Sequence, residues 1–257
     1  MTLVLNEIHL VQGLTRTVLV AAADRRITEP DGRYHSTRRK LFDIPYLQGT
    51  ISYYGLACVY PNGNGKPEYL SSWLPNFIRT HHSITTLSDF VSSLREKLHH
   101  VIPPAVLKKN ASGFHVCGYQ SDGLPDFWHL TNVGKLNGFC YSDLQPRYQC
   151  PTSDFLGRDA RQHHGWDGKD PNSATGNTVR IYRNGDFRAH SIASEHLDEV
   201  LSHFFRFSDF ARPTSVADYE KYVKFKLEVL AYIYHKWANK KIIGKPIDVI
   251  ARARGVK

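Results

Sequence analysis

The sequence has no apolar run approaching the roughly 20 residues that cross a bilayer as a helix, so no membrane partner is expected. Its opening, MTLVLNEIHL, lacks the basic segment and small-residue cleavage site of a secretory signal, and Glu7 and His9 interrupt its apolar face. It reads as a mature strand in a cytoplasmic protein. Cysteine is scarce, with 4 in 257 residues. Cys58, Cys117, Cys140 and Cys150 fall at no metal-ligand spacing, which points to free buried thiols and to no metal or cofactor. Acid is outnumbered, 24 Asp and Glu against 33 Lys and Arg, giving a net charge of +9. Such an excess attracts acidic partners, but the basic residues are dispersed except in STRRK (36–40) and ANKKIIGK (238–245). Neither tract interleaves aromatics, so nucleic acid is not an expected partner.

What is present is a globular composition, 41% hydrophobic and 22% charged, long enough to bury a substantial core. Residues 3–10 and 17–23 read as strands, the second apolar throughout as for a strand covered on both faces. Residues 40–44 and, beyond Pro45, 46–57 continue the pattern, predicting a meander of four antiparallel strands with a turn at Gly13. The period then changes. Tyr69, Leu70, Trp73, Leu74 and Phe77 recur at helical spacing, and Leu87, Phe90, Val91, Leu94 and Leu98 share one face of a second helix. Strands follow at 112–119 and 126–133, and in the LNGFCYS segment. Residues 141–176, rich in Gly, Pro, Asp and Asn, read as a solvated insertion; the adjacent His163 and His164 cannot face one metal as an i, i+4 pair would. Asn184-Gly185 predicts a hairpin turn within TVRIYRNGDFRAH. Two helices, about 195–208 and 215–238, precede a last strand at 247–253. Ser215 is available to cap the second, whose stripe is Tyr219, Val223, Leu227, Leu230, Tyr234 and Trp237. Runs of strands segregated from runs of helices favour an α+β class. The expected architecture is a four-layer αββα sandwich, a single domain over residues 1–257.

Asp24-x-Arg26-x-Thr28 ending a second strand, Lys40 opening the next, Gly55 ending GTISYYGLA and the closing IIGKPIDVIARARG resemble the β-type proteasome subunits of the N-terminal nucleophile hydrolases. The element order agrees outside the insertion, as for a divergent bacterial-like member. The resemblance implies a threonine-type peptidase whose nucleophile is Thr2, exposed once Met1 is removed. A threonine hydroxyl needs a base, and the α-amine of the same residue serves. A lysine ammonium beside that amine keeps it partly deprotonated by repulsion, and a carboxylate keeps the lysine charged. By resemblance Lys40 is that lysine, Asp24 its partner and Arg26 their brace. The Thr28 backbone would bind an extended substrate by strand addition, and the Gly55 amide would donate to the oxyanion. Tyr53 and Tyr54 stand where the family has small residues and would line the substrate pocket. The implied partners are a peptide or unfolded protein substrate, further copies of the chain in a ring, and an ATPase or activator that the sequence does not name. The family's later Ser and Asp-x-x-Ser have no match in KWANKKIIG; Ser191 and Ser194 are the candidates for the earlier serine. The alternative reading is a catalytically inactive structural or interaction subunit of the same fold.

Overall fold

A computed structural model of the chain describes residues 3–11, 16–29, 31–61, 66–121, 123–137, 140–154, 178–186, 193–207 and 210–254. The strands, in order, are β1 (Leu3–Val11), β2 (Arg16–Asp24), β3 (Arg26–Thr28), β4 (Tyr34–Thr37), β5 (Leu41–Ile44), β6 (Gly49–Tyr54), β7 (Cys58–Val59) and β8 (Glu68–Tyr69). After the helices α1 (Leu70–Thr80), α2 (Leu87–Val101) and α3 (Pro104–Leu107) come β9 (Gly113–Tyr119), β10 (Pro125–Thr131), β11 (Val133–Asn137), β12 (Cys140–Leu144), β13 (Thr152–Asp154) and β14 (Thr178–Gly185). Helices α4 (Glu195–Phe204) and α5 (Val216–Trp237) precede β15 (Ile247–Arg254). The chain is mixed α/β, and its sheets are antiparallel.

Two sheets carry the core, in the orders β14-β1-β2-β15 and β13-β10-β9-β6-β5. The expected four-strand meander is therefore divided: β1 and β2 belong to the first sheet, β5 and β6 to the second. Strand periodicity assigns their faces. On β2, Val18, Val20 and Ala22 pack with Val223, Leu227 and Leu230 of α5. The intervening Leu19 packs with Cys117, Tyr119 and Phe127 of the second sheet, and Ala21 and Ala23 with Leu41 and Tyr54. Burial on both faces explains the uninterrupted apolar run. In the second sheet Ile51, Tyr53, Phe114 and Val116 turn to the other side, against Leu74 and Phe77 of α1 and Phe90 and Leu94 of α2.

The Asn184-Gly185 pair does not turn a hairpin among the described residues. Strand β14 runs antiparallel to β1, with Leu3 opposite Gly185 and Leu10 opposite Thr178, so a distant partner overrides the local turn signal. Ser215 does cap α5: its Oγ accepts from the Asp218 amide at 3.1 Å while the Asp218 carboxylate accepts from the Ser215 amide at 3.0 Å. Trp237, expected on the buried stripe, is 71% exposed, since it ends α5 beyond the sheet that buries Leu227 and Leu230. All four cysteines are free, as expected, but only Cys117 is buried; Cys58 is half-buried and Cys140 and Cys150 are exposed. Within the expected insertion, Cys140–Leu144 pairs with β11 and Thr152–Asp154 with β10, while residues 155–177 lie outside the described residues. No helix among the described residues is long and apolar enough to cross a membrane.

Polar residues follow the same alternation on β1. Glu7, facing α5, is fully buried and paired with Lys226, which also meets Asp198 at 2.8 Å. Asn6, facing the second sheet, touches His115 Nδ1 at 2.7 Å.

Candidate functional site

The charged cluster that ends β2 resolves into three separate destinations. Asp24 turns inward, with no exposed surface, to Lys40, which is 1% exposed. The Lys40 ammonium donates to Asp24 Oδ1 at 3.0 Å and to the Arg26 carbonyl at 2.6 Å. Arg25 turns the other way and forms a two-pronged pair with Asp248 of β15 through Nε at 2.9 and 2.8 Å, while its amide donates to the Pro246 carbonyl at 3.0 Å. The Arg26 guanidinium lies 5.0 Å over the Tyr34 ring. Arg26 thus braces the Asp24–Lys40 pair through its backbone, its amide donating to Asp24 Oδ2 at 3.1 Å.

Asp24 Oδ1 accepts a second bond, from the Leu3 amide at 2.8 Å. One carboxylate therefore joins the first described residue of the chain, the β2–β3 turn and the lysine that precedes β5. Charge-assisted hydrogen bonds of this kind are about twice as strong as those between neutral groups. Burial pushes the Lys40 ammonium below its ordinary value; Asp24 opposes the fall without cancelling it. Thr2, the proposed nucleophile, lies outside the described residues, as does Ser191. Ser194 is buried beside a cavity of about 10 Å³ that Lys226 and Arg183 also line, on the α5 side of the first sheet.

Next to this cluster opens a cleft of about 750 Å³, lined among others by Thr28, Tyr54, Gly55, Tyr141, Gly185 and Asp186. Gly55 has φ +81°, and a Cβ there would stand 1.8 Å from the Ala111 carbonyl oxygen, so only glycine fits. Tyr54 and Tyr53 separate by strand alternation: Tyr54 reaches the cleft, whereas Tyr53 is buried among the α1 and α2 side chains, its hydroxyl donating to the Arg39 carbonyl at 3.2 Å. Tyr53 is thereby removed from the cleft lining on which it was expected.

Behind the cleft lies a polar network with no precedent in the sequence reading. Tyr54 stacks on Tyr141, and its hydroxyl meets His129 Nε2 at 2.9 Å and Thr131 Oγ1 at 3.0 Å. Burial pushes the His129 imidazole down to about 4, so it is neutral at physiological pH. The Tyr141 hydroxyl donates to Asn184 Oδ1 at 2.9 Å and accepts from the Gly185 amide at 3.0 Å. Asn184 in turn touches His115 Nε2 at 2.8 Å. The available signal was polar residues inside apolar runs, Asn6 in LVLNEIHL and His115 in GFHVCGY. Among the described residues no group of three or more His, Cys, Asp or Glu is placed to hold a metal ion.

No protein-family model matches the sequence, and no curated protein does. Among solved structures the chain is similar to Anbu (ancestral beta-subunit) from Yersinia bercovieri, with 12% identity, a TM-score of 0.45, and 97% of this chain and 81% of that chain covered. It is also similar to an Anbu (Gly-1) mutant from Hyphomicrobium sp. strain MC1, with 13% identity, a TM-score of 0.44, and 100% and 87% covered. These findings correct the resemblance to proteasome β-type subunits: the similar structures are Anbu proteins, which are proteasome-like but distinct, and the likeness is weak.

Proposed function

We propose that the chain is a threonine-type peptidase that attacks peptide bonds through Thr2 after removal of Met1. The observation that carries this reading is the shared carboxylate: Asp24 Oδ1 accepts from both Leu3 N at 2.8 Å and Lys40 Nζ at 3.0 Å. Leu3 N is the nitrogen of the peptide bond that follows Thr2, so chemistry at Thr2 is tied within one peptide unit to a buried carboxylate and ammonium. In this reading the Thr2 α-amine takes the hydroxyl proton as Oγ1 adds to the scissile carbonyl. The amine returns that proton to the departing amine, leaving an ester on Thr2, and water hydrolyses the ester to free the second product. The depressed Lys40 ammonium supports the amine's basic state by charge repulsion. Thr28 and Gly55, which both line the cleft, would hold the extended substrate and the oxyanion. Tyr54 would close the inner end of the pocket.

The same reading includes a single domain with its layers in the order helix, sheet, sheet, helix, supported by the two-sided burial of β2. It also includes assembly of further copies into a ring around the peptide substrate. A structural, inactive subunit is the second reading, favoured by the near-complete burial of Lys40 and Asp24.

The test is an electrophile that traps N-terminal threonine, read by intact mass on wild type, Thr2→Ala and Lys40→Met. The expected result is a chain without Met1, labelled on residue 2, with labelling abolished in Thr2→Ala and strongly slowed in Lys40→Met. Retention of Met1, or labelling that persists in Thr2→Ala, overturns the peptidase reading.

A further inference from the structure

We infer that Glu29, His35 and Tyr69 form an acid–base relay on the wall of the cleft, whose Tyr69 hydroxyl is an acyl acceptor for ester ligands, separately from any chemistry at Thr2. All three residues line the cleft of about 750 Å³, and they reach it from two separate two-stranded ribbons. Strands β3 and β4 form one ribbon, β7 and β8 the other. His35 stands on β4, Glu29 directly follows β3, and Tyr69 ends β8, opposite Cys58 of β7. The turn between β3 and β4 fixes Glu29 by its backbone: its amide donates to the Arg33 carbonyl at 2.9 Å, and its carbonyl accepts from the Gly32 amide at 2.8 Å. The side chains of His35 and Glu29 are 41% and 45% exposed, so the relay is open to a ligand entering the cleft.

The atoms in contact assign the direction of proton flow. Glu29 Oε1 lies 2.7 Å from His35 Nδ1, and His35 Nε2 lies 3.1 Å from the Tyr69 hydroxyl. A carboxylate only accepts, so Nδ1 carries the proton on that side; in the neutral imidazole Nε2 is then an acceptor and Tyr69 its donor. A base held in one tautomer by a carboxylate and aimed at a hydroxyl is the arrangement that activates a hydroxyl as a nucleophile. The Arg38 guanidinium lies over the Tyr69 ring, 4.0 Å from its centroid, where it favours the negative charge that develops on the phenol as the proton leaves. Tyr54, elsewhere on the cleft wall, also meets an imidazole, but burial pushes that imidazole down to about 4 and that phenol up, which keeps the pair neutral. At Tyr69, His35 Nε2 takes the phenol proton as Tyr69 Oη adds to the ester's carbonyl carbon. The bond from that carbon to the leaving oxygen then breaks, the acyl group stays on Tyr69 as an ester, and the leaving group departs with the electron pair.

The probe is p-nitrophenyl acetate applied to the full chain, with acetylated tyrosines quantified by peptide mass over time. Tyr34 and Tyr232 are the comparators, each 54% exposed, whereas Tyr69 is half-buried; access alone therefore ranks Tyr69 last. Tyr34 has a guanidinium of its own, Arg26 at 5.0 Å, but its hydroxyl meets Thr37 at 3.0 Å where Tyr69 meets an imidazole. Tyr69 is expected to be acetylated about tenfold or more faster than either comparator. That rate is expected to fall to the comparators' level in His35→Gln and to slow in Glu29→Gln, while Tyr34 and Tyr232 keep their wild-type rates and so report an intact fold. Should His35→Gln not fold, Glu29→Gln carries the comparison. A Tyr69 no faster than the comparators, or a Tyr69 rate that the His35 and Glu29 variants leave unmoved, overturns the relay. Thr2→Ala is expected to leave the Tyr69 rate unchanged, whatever becomes of the peptidase reading; a fall there shows that the acyl group arrives by way of Thr2 and overturns direct transfer to Tyr69.

Discussion

Replacing Glu7 with glutamine deletes one buried charge while keeping the side chain's shape and one of its acceptor oxygens. Burial alone would push the Glu7 carboxyl up, yet Lys226, aided by His9, holds it at about 2 against an ordinary 4.5. Holding a carboxyl that far down favours the folded state by about 3 kcal/mol at neutral pH. A separate consideration gives a similar figure, since removing one partner of a buried ion pair costs roughly 3–5 kcal/mol. Lys226 retains Asp198 at 2.8 Å in the variant, which argues for the lower end. For a chain of this size, about 3 kcal/mol corresponds to a fall in Tm of roughly 6–12 °C.

The pH dependence follows from the direction of the shift. Because the folded-state value lies below the unfolded one, the stabilisation is complete above 4.5 and is lost as pH falls from there toward 2. Denaturant unfolding of wild type and Glu7→Gln across that range is the assay. The difference between the two proteins should be near its full size at neutral pH and close most of its gap as acid protonates Glu7 in the folded state. A gap that stays constant with pH, or one below about 1 kcal/mol at neutrality, refutes the electrostatic account.

Two further perturbations probe the cleft. Gly55→Ala places a Cβ 1.8 Å from the Ala111 carbonyl oxygen at a backbone angle of +81°; strain of about 1–3 kcal/mol precedes the clash, and a fall in Tm is expected, so unchanged thermal unfolding contradicts the close approach. Tyr54→Phe removes the hydroxyl that meets His129 and Thr131, leaving a buried ring nitrogen without that partner at a cost of about 1–3 kcal/mol; chemical denaturation should report it, and a neutral result would show that the network adds nothing to stability.

Legibility in the sequence tracked the range of the interaction. The double burial of β2 was readable from its unbroken apolar run, and the inner faces of α1 and α2 from their periods, because each is a property of adjacent residues. The strand partnerships were not. Asn184-Gly185 carries a local turn signal, but Gly185 pairs with Leu3, far earlier in the chain. Trp237 continued a helical stripe that the sheet beneath α5 does not follow to its end. Asp24 and Lys40 were singled out through resemblance, and what the resemblance did not contain was the Leu3 amide on the same carboxylate oxygen. Tyr53 and Tyr54, treated together as pocket residues, were divided by the simplest rule of strand geometry. Lys226 drew no notice in KFKLEVLA, since a lysine in an amphipathic helix reads as solvated until its partners on β1 and α4 are known.

Two buried lysines, Lys226 on α5 and Lys40 just before β5, differ in their surroundings. Lys226 faces two carboxylates, Glu7 and Asp198, and although burial opposes its charge, their combined pull raises it above its ordinary value. Such an ammonium is locked in one state across the physiological range and serves as a tie between α5, α4 and β1. Lys40 faces Asp24 and a carbonyl, and there burial prevails over the single carboxylate, so its proton is held less firmly than in water. The Leu3 amide is fixed to the same carboxylate oxygen as Lys40. On the proposed peptidase reading, the contrast between the two lysines, more than the burial of either, is the reason for siting the chemistry at the Asp24 end of β2 and the mechanical coupling at the Glu7 face of β1.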